Sequence, residues 1–183
     1  MQVLNSLGTL VIRKRYEHQE IRNMRNIYTF EVYLISGPMS EEFVEKNRVI
    51  LRKIEIRGEQ TLEDLHLAIF DAFDREEDHL YEYQIGGKGP NDPEAIRYST
   101  PDPFENSEKL SKSCNYASAT TIDSLKLKID DVFGYWFDFG DDWWHQINVA
   151  SIQSRSSPGK YPKVIERIGK SPLQQSDIGK CVN

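Results

Sequence analysis

The sequence predicts an α+β fold, a mostly antiparallel sheet packed by one main helix in a β-grasp or roll-like layout. Three observations predict it. Aromatic and β-branched runs with period-two character recur along the chain, one amphipathic helix opens at a capping signal, and a Gly-Asp-Asp turn joins two apolar strands.

Residues 1–23 read as an N-terminal extension, polar after Ile12, with Met24 just ahead of the first convincing strand. The apolar run Leu7–Ile12 precedes Arg13, Lys14 and Arg15 instead of following them, and no small-residue cleavage site is present, which argues against a signal peptide. Residues 24–183 read as a single domain, with a core over 27–152 and an irregular C-terminal segment over 153–183.

Ile27 to Ser36 (IYTFEVYLIS) is the first strand, broken by Gly37-Pro38. A polar connection over Ser40 to Asn47, with room for one helical turn, leads to a second strand over Arg48 to Arg57, where Ile50, Ile54 and Ile56 share a face. The helix opens at Thr61. Thr61-x-x-Asp64 resembles a capping box with a shorter acid, and Leu62, Leu65, Ile69 and Phe73 form its apolar stripe. The acidic run Asp74 to Asp78 closes it. His79 to Ile85 is a third strand, stopped by Gly86-Gly87.

Lys88 to Ala119 reads as a long loop with one short strand near Ile96 to Ser99. Thr121 to Phe133 fits a strand start or a short helix equally well. Tyr135 to Phe139 and Trp143 to Ile152 flank Gly140-Asp141-Asp142, a strong hairpin signal. The tail carries Pro158, Pro162 and Pro172, with a short helix expected at Val164 to Ile168.

Charge is unevenly distributed. Residues 1–57 carry ten Lys/Arg against seven Asp/Glu, residues 58–152 seven against twenty, and residues 153–183 six against two. The acidic middle is a poor surface for a phosphate backbone, which argues against nucleic acid as a partner. No run approaches the ~20 apolar residues needed to span a bilayer. Two cysteines without metal-like spacing, Cys114 and Cys181, make the cytoplasm the expected compartment.

The densest chemistry is Tyr135-Trp136-Phe137-Asp138-Phe139-Gly140-Asp141-Asp142-Trp143-Trp144-His145. A two-residue turn at Gly140-Asp141 or Asp141-Asp142 puts Asp138 and His145 on one face, as diagonal or direct neighbours. A three-residue turn separates them. An Asp beside a His, walled by Trp136 and Trp143, has three readings: a structural pair that pins the register, a ligand-recognition patch, or a catalytic or metal-binding pair. Asp138, Asp141, Asp142 and His145 offer oxygen ligands and an imidazole, although Asp also favours turns for its own sake.

His66 in the helix and His79 at a strand start read first as structural, and the spacing of Cys114 gives no support to a nucleophile role. Gly86-Gly87-Lys88-Gly89 lacks the spacing of a phosphate-cradling loop. Cofactor and metal identity stay open on these residues.

Thr61-Leu62-Glu63-Asp64-Leu65-His66, then His79-Leu80-Tyr81-Glu82-Tyr83, then Tyr135-x-Phe137-Asp138-Phe139-Gly140-Asp141-Asp142-Trp143-x-His145 resemble the Ri-plasmid open-reading-frame-three-like family over roughly Ile27 to Ile152. Tyr161-Pro162 and Ser171-Pro172 resemble its closing segment, but Leu173-Gln174-Gln175 stands where the family tends to have Pro-Glu-Asp. The resemblance implies an α+β domain in a plasmid or insertion-element context, with no established activity. Two expectations follow. The first is a non-catalytic interaction module binding a protein or small ligand through Trp136, Asp138, Asp141, Asp142, Trp143 and His145. The second is a metal-dependent hydrolase of phosphoesters with Asp138, Asp142 and His145 as ligands and His66 or His79 nearby.

Overall fold

The computed structural model describes residues 24–76, 79–100, 115–156 and 158–174; the expected extension over 1–23, Cys114 and Cys181 lie outside them. Eight strands are present among these residues: β1 (Met24–Ser36), β2 (Leu51–Arg57), β3 (Tyr81–Ile85), β4 (Ile96–Ser99), β5 (Asn115–Tyr116), β6 (Val132–Phe137), β7 (Trp143–Ser156) and β8 (Lys163–Ile168). They form one mixed sheet in the order β5-β4-β3-β6-β7-β1-β2-β8. Every neighbouring pair is antiparallel except β4 with β5. The mostly antiparallel α+β expectation is therefore met.

The helices begin where the sequence places capping side chains. Ser40 accepts a hydrogen bond from the Phe43 N–H and opens α1 (Glu41–Lys46). At α2 (Leu62–Ala72), the Thr61 Oγ1 accepts from the Asp64 N–H at 3.1 Å, and an Asp64 carboxylate oxygen accepts from the Thr61 N–H at 2.8 Å. The shorter acid thus completes a capping box. Leu62, Leu65, His66, Ile69 and Ala72 are the buried residues of α2. With Phe30, Val32, Ile54, Tyr83, Phe133, Phe137 and Ile147 from the strands, its apolar stripe joins one core cluster on a single face of the sheet.

The opposite sheet face is polar and laced with ion pairs. Lys53 reaches Glu31 and Glu166 at 3.1 Å each, and Glu55 receives Arg155 at 2.8 Å and Lys163 at 3.0 Å. Such pairs contribute at most about 1 kcal/mol each, so their main effect is to keep this face wet.

Two expectations need correction or resolution. Val164 to Ile168 is not a short helix but lies in β8, paired with β2 from Leu51↔Ile168 to Glu55↔Lys163. Its β-branched residues and the free edge of β2 outweigh a weak local helix signal. Thr121 to Phe133 resolves into a 3₁₀ turn over Asp123–Leu125 followed by the start of β6.

Arg52 ties β2, α2 and β8 together. Its side chain is buried on the helix side of β2, with Nε donating to the Ala72 carbonyl at 2.7 Å. Nη1 donates to Leu51 at 2.8 Å, Ile168 at 2.8 Å and Gly169 at 3.2 Å, and Nη2 to the Ser171 hydroxyl at 2.8 Å. A cation at the C-terminal end of α2 also meets the negative pole of the helix dipole. Arg52→Met should destabilise the protein by about 3 kcal/mol, because it takes a charged donor from the Leu51, Ile168 and Gly169 carbonyls at once; urea unfolding checks this.

Candidate functional site

The hairpin of β6 and β7 pairs Phe137 with Trp143, Trp136 with Trp144 and Tyr135 with His145. Residues 138–142 therefore reverse the chain as a five-residue loop, not as a two-residue turn. The sequence explains the longer loop. Asp138 and Asp142, one at each end, both adopt φ of 55°, a left-handed conformation that Asp tolerates far better than most residues. The Asp138 carboxylate then accepts the Gly140 and Asp141 N–H groups at 3.1 and 3.3 Å, while the Asp142 N–H bonds the Asp138 carbonyl at 2.8 Å.

This register corrects the expected pairing of Asp138 with His145. An odd loop puts the even-numbered positions of both strands on one face and the odd-numbered positions on the other. Asp138 leaves the ladder at the top and lies 3.5 Å from His79 Nε2 instead. His145 enters the core, between Phe73 at 5.0 Å and Tyr135 at 5.2 Å between ring centres. Asp138, Asp142 and His145 are thus not assembled into one ligand set. Among the described residues no group of three or more His, Cys, Asp or Glu side chains is placed to hold a metal ion.

Facing outward, Trp136 and Trp144 stack with ring centres 4.9 Å apart and planes 7° from parallel. Phe139, in the loop, covers the other side of Trp136 at 4.1 Å and is itself 39% exposed. The Trp136 indole N–H donates to an Asp142 carboxylate oxygen at 3.0 Å, which fixes the ring. Asp141 is half-buried and Asp142 exposed beside this stack, and Glu82 lies opposite Trp136 on β3. Three rings with Asp141 and Asp142 at their edge form an open aromatic platform, while Glu82 is already paired with Arg97 at 2.5 Å.

Facing inward, Trp143 is fully buried against Gly37, where a Cβ would sit 2.1 Å from its Cε3. The Arg75 guanidinium lies on this indole, with Cζ 3.9 Å from the ring centre, and 5.6 Å from the ring of Phe137. Arg75 was hidden in the sequence as the one cation of an acidic run. Burial pushes its pKa down to about 10, with Tyr135, Asp138 and Asp141 pulling the other way. His66, stacked on Tyr81 at 3.8 Å and 2.8 Å from the Tyr135 hydroxyl through Nδ1, is a partnered core residue.

A cleft of about 640 Å³ lies away from the hairpin, lined by Arg52, Asp74, Arg167, Lys170, Ser171 and Gln174 among others. Its two arginines are already engaged, since both donate to the Ala72 carbonyl.

A model of the plasmid pRiA4b ORF-3-like protein family matches residues 42–181. The match begins after β1 and runs on through the C-terminal segment, well past Ile152. No curated protein matches the chain. Among solved structures, a protein of unknown function from Methanosarcina mazei Go1 superposes with a TM-score of 0.62 at 19% identity, over 83% of this chain and 74% of that one. That likeness concerns the fold alone.

The His145 environment sets a pH dependence. Burial, followed by the nearby Arg75 charge, pushes its pKa down to about 3, against a weak opposite pull from the Tyr135 and Trp143 backbones. Unfolded His takes up a proton near pH 6.5 while the folded ring stays neutral. Its contribution is therefore complete above about pH 6.5 and is lost as pH falls towards 3, on the order of several kcal/mol in all. Urea melts from pH 7 to 4 should show a stability loss that is visibly shallower in His145→Leu.

Proposed function

The chain belongs to the plasmid pRiA4b ORF-3-like protein family, and we propose that it acts there as a non-catalytic interaction module, docking a cationic segment of a protein partner on the outer aromatic platform. The observation that carries this reading is the half-exposed stack of Trp136, Trp144 and Phe139 beside Asp141 and Asp142. The faces of Trp144 and Phe139 turned away from Trp136 and the carboxylates beside them attract the same ligand, a lysine or arginine side chain. Each ring contact contributes about 0.5–2 kcal/mol to such a ligand.

The long-range charge points the same way. Residues 58–152 carry seven Lys/Arg against twenty Asp/Glu, which draws cationic partners and repels phosphate backbones. The platform is also preorganised, because the Trp136 indole is held by Asp142 and stacked on both sides. Little side-chain freedom remains to be lost on binding. Two of the six hairpin positions expected to bind, Trp143 and His145, face the core instead and support the platform from behind. Within a cytoplasmic setting, binding of this kind is reversible and salt-sensitive.

Two of the three tryptophans lie in the platform, so intrinsic fluorescence reports on it. Titration with decapeptides carrying paired arginines should give a saturable change that weakens with added salt. Trp136→Ala and Trp144→Ala should each weaken binding by about five- to thirty-fold with little change in melting temperature. An undiminished affinity for the arginine peptides in the Trp136→Ala/Trp144→Ala double variant would refute the reading.

A further inference from the structure

The inner face of the same hairpin holds a second recognition feature, independent of the platform. Arg75 is buried to all but 8% of its surface, and neither Nη1 nor Nη2 has a hydrogen-bond partner among the described residues. Trp143 Nε1, on the indole against which the guanidinium lies, is likewise without a partner there, whereas the His145 ring is met by the Tyr135 and Trp143 backbones. A buried guanidinium with unmade hydrogen bonds is costly to the fold. The contrast with Arg52, whose nitrogens all find acceptors, shows that this fold can satisfy a buried arginine where nothing else needs it.

The neighbouring acids do not fill the gap. Asp138 directs one carboxylate oxygen to the Gly140 and Asp141 N–H groups and the other towards His79. Asp138 and Asp141 act on Arg75 through charge, not through a hydrogen bond. They balance the cation at a distance and leave its terminal donors open.

We infer that Arg75, with the Trp143 indole, forms a receptor for a single carboxylate group. The two terminal nitrogens of a guanidinium match the two oxygens of a carboxylate in a bidentate pair. The flat ring of Trp143 under the guanidinium suits a planar partner. The negative field of Asp138 and Asp141 selects a singly charged group over a phosphate dianion, whose second charge it would repel. The carboxylate comes from a free small acid or from an acidic side chain of a polypeptide, and the two are separable.

Thermal melting of the full chain in acetate, phosphate and chloride at matched ionic strength tests this, alongside a decapeptide carrying glutamates. A saturable rise in melting temperature with acetate assigns a free small acid. A rise with the acidic peptide alone assigns a side chain. In either case Arg75→Lys, which keeps the charge but loses the fork, should weaken the response at least about tenfold, while Trp136→Ala leaves it intact. Should the variant fail to fold, the Arg75 side-chain N–H resonances of the wild-type protein provide the same test by their shift with ligand. Indifference of those resonances and of the melting temperature to every carboxylate, or equal stabilisation by phosphate and chloride, would overturn the assignment.

Discussion

Between the paired residues Phe137 and Trp143 five positions reverse the chain, and that odd number decides which side chains of β6 and β7 meet the core. With it, Phe137, Trp143, Tyr135 and His145 all enter the helix side of the sheet, while Trp136 and Trp144 stack on the open side. One residue more or fewer in the loop would send Trp144 inward and Trp143 outward. The loop is held by Asp138, which supplies left-handed backbone, two accepted N–H groups and an accepted α-turn bond at its carbonyl. The acidic signature of the hairpin is in this sense a geometric device first. Its consequences for binding follow from the faces it creates.

The same logic connects the hairpin to the rest of the domain. Trp143 packs against Gly37 in the turn that follows β1, and Arg75 reaches the same indole from the segment after α2. Phe73, the C-cap of α2, meets His145 on one side and the Arg52 guanidinium on the other. A chain of contacts therefore runs from the β8 edge through Arg52 and Phe73 to the hairpin. Two buried arginines sit at either end of it, one fully partnered and one with open donors. The difference separates an arginine that staples strands to a helix end from one that is kept available.

Much of this architecture is legible in the sequence, and the reasons are local. Thr61 and Asp64 announce the helix start because a capping box needs only neighbouring residues. The strand over Ile96–Ser99 and the existence of the hairpin are readable from period-two runs and turn residues. Register was not, because Phe-Asp-Phe-Gly-Asp-Asp fits several loop lengths, and only the left-handed preference of Asp at both loop ends hinted at five. β8 escaped because its pairing with β2 spans about a hundred residues of sequence, whereas Val164 to Ile168 taken alone has no decisive period. Arg75 escaped because a lone cation among Asp74, Glu76 and its acidic neighbours looks like part of a solvated run; its burial is a tertiary fact.

The register of β6 against β7 underlies both proposed recognition surfaces, and a nuclear Overhauser map of the hairpin side chains measures it directly. Cross-peaks between the Trp136 and Trp144 indoles, and between the Trp143 indole and Gly37, are the expected result. Cross-peaks between Asp138 and His145, with Trp144 and not Trp143 meeting Gly37, would contradict the account.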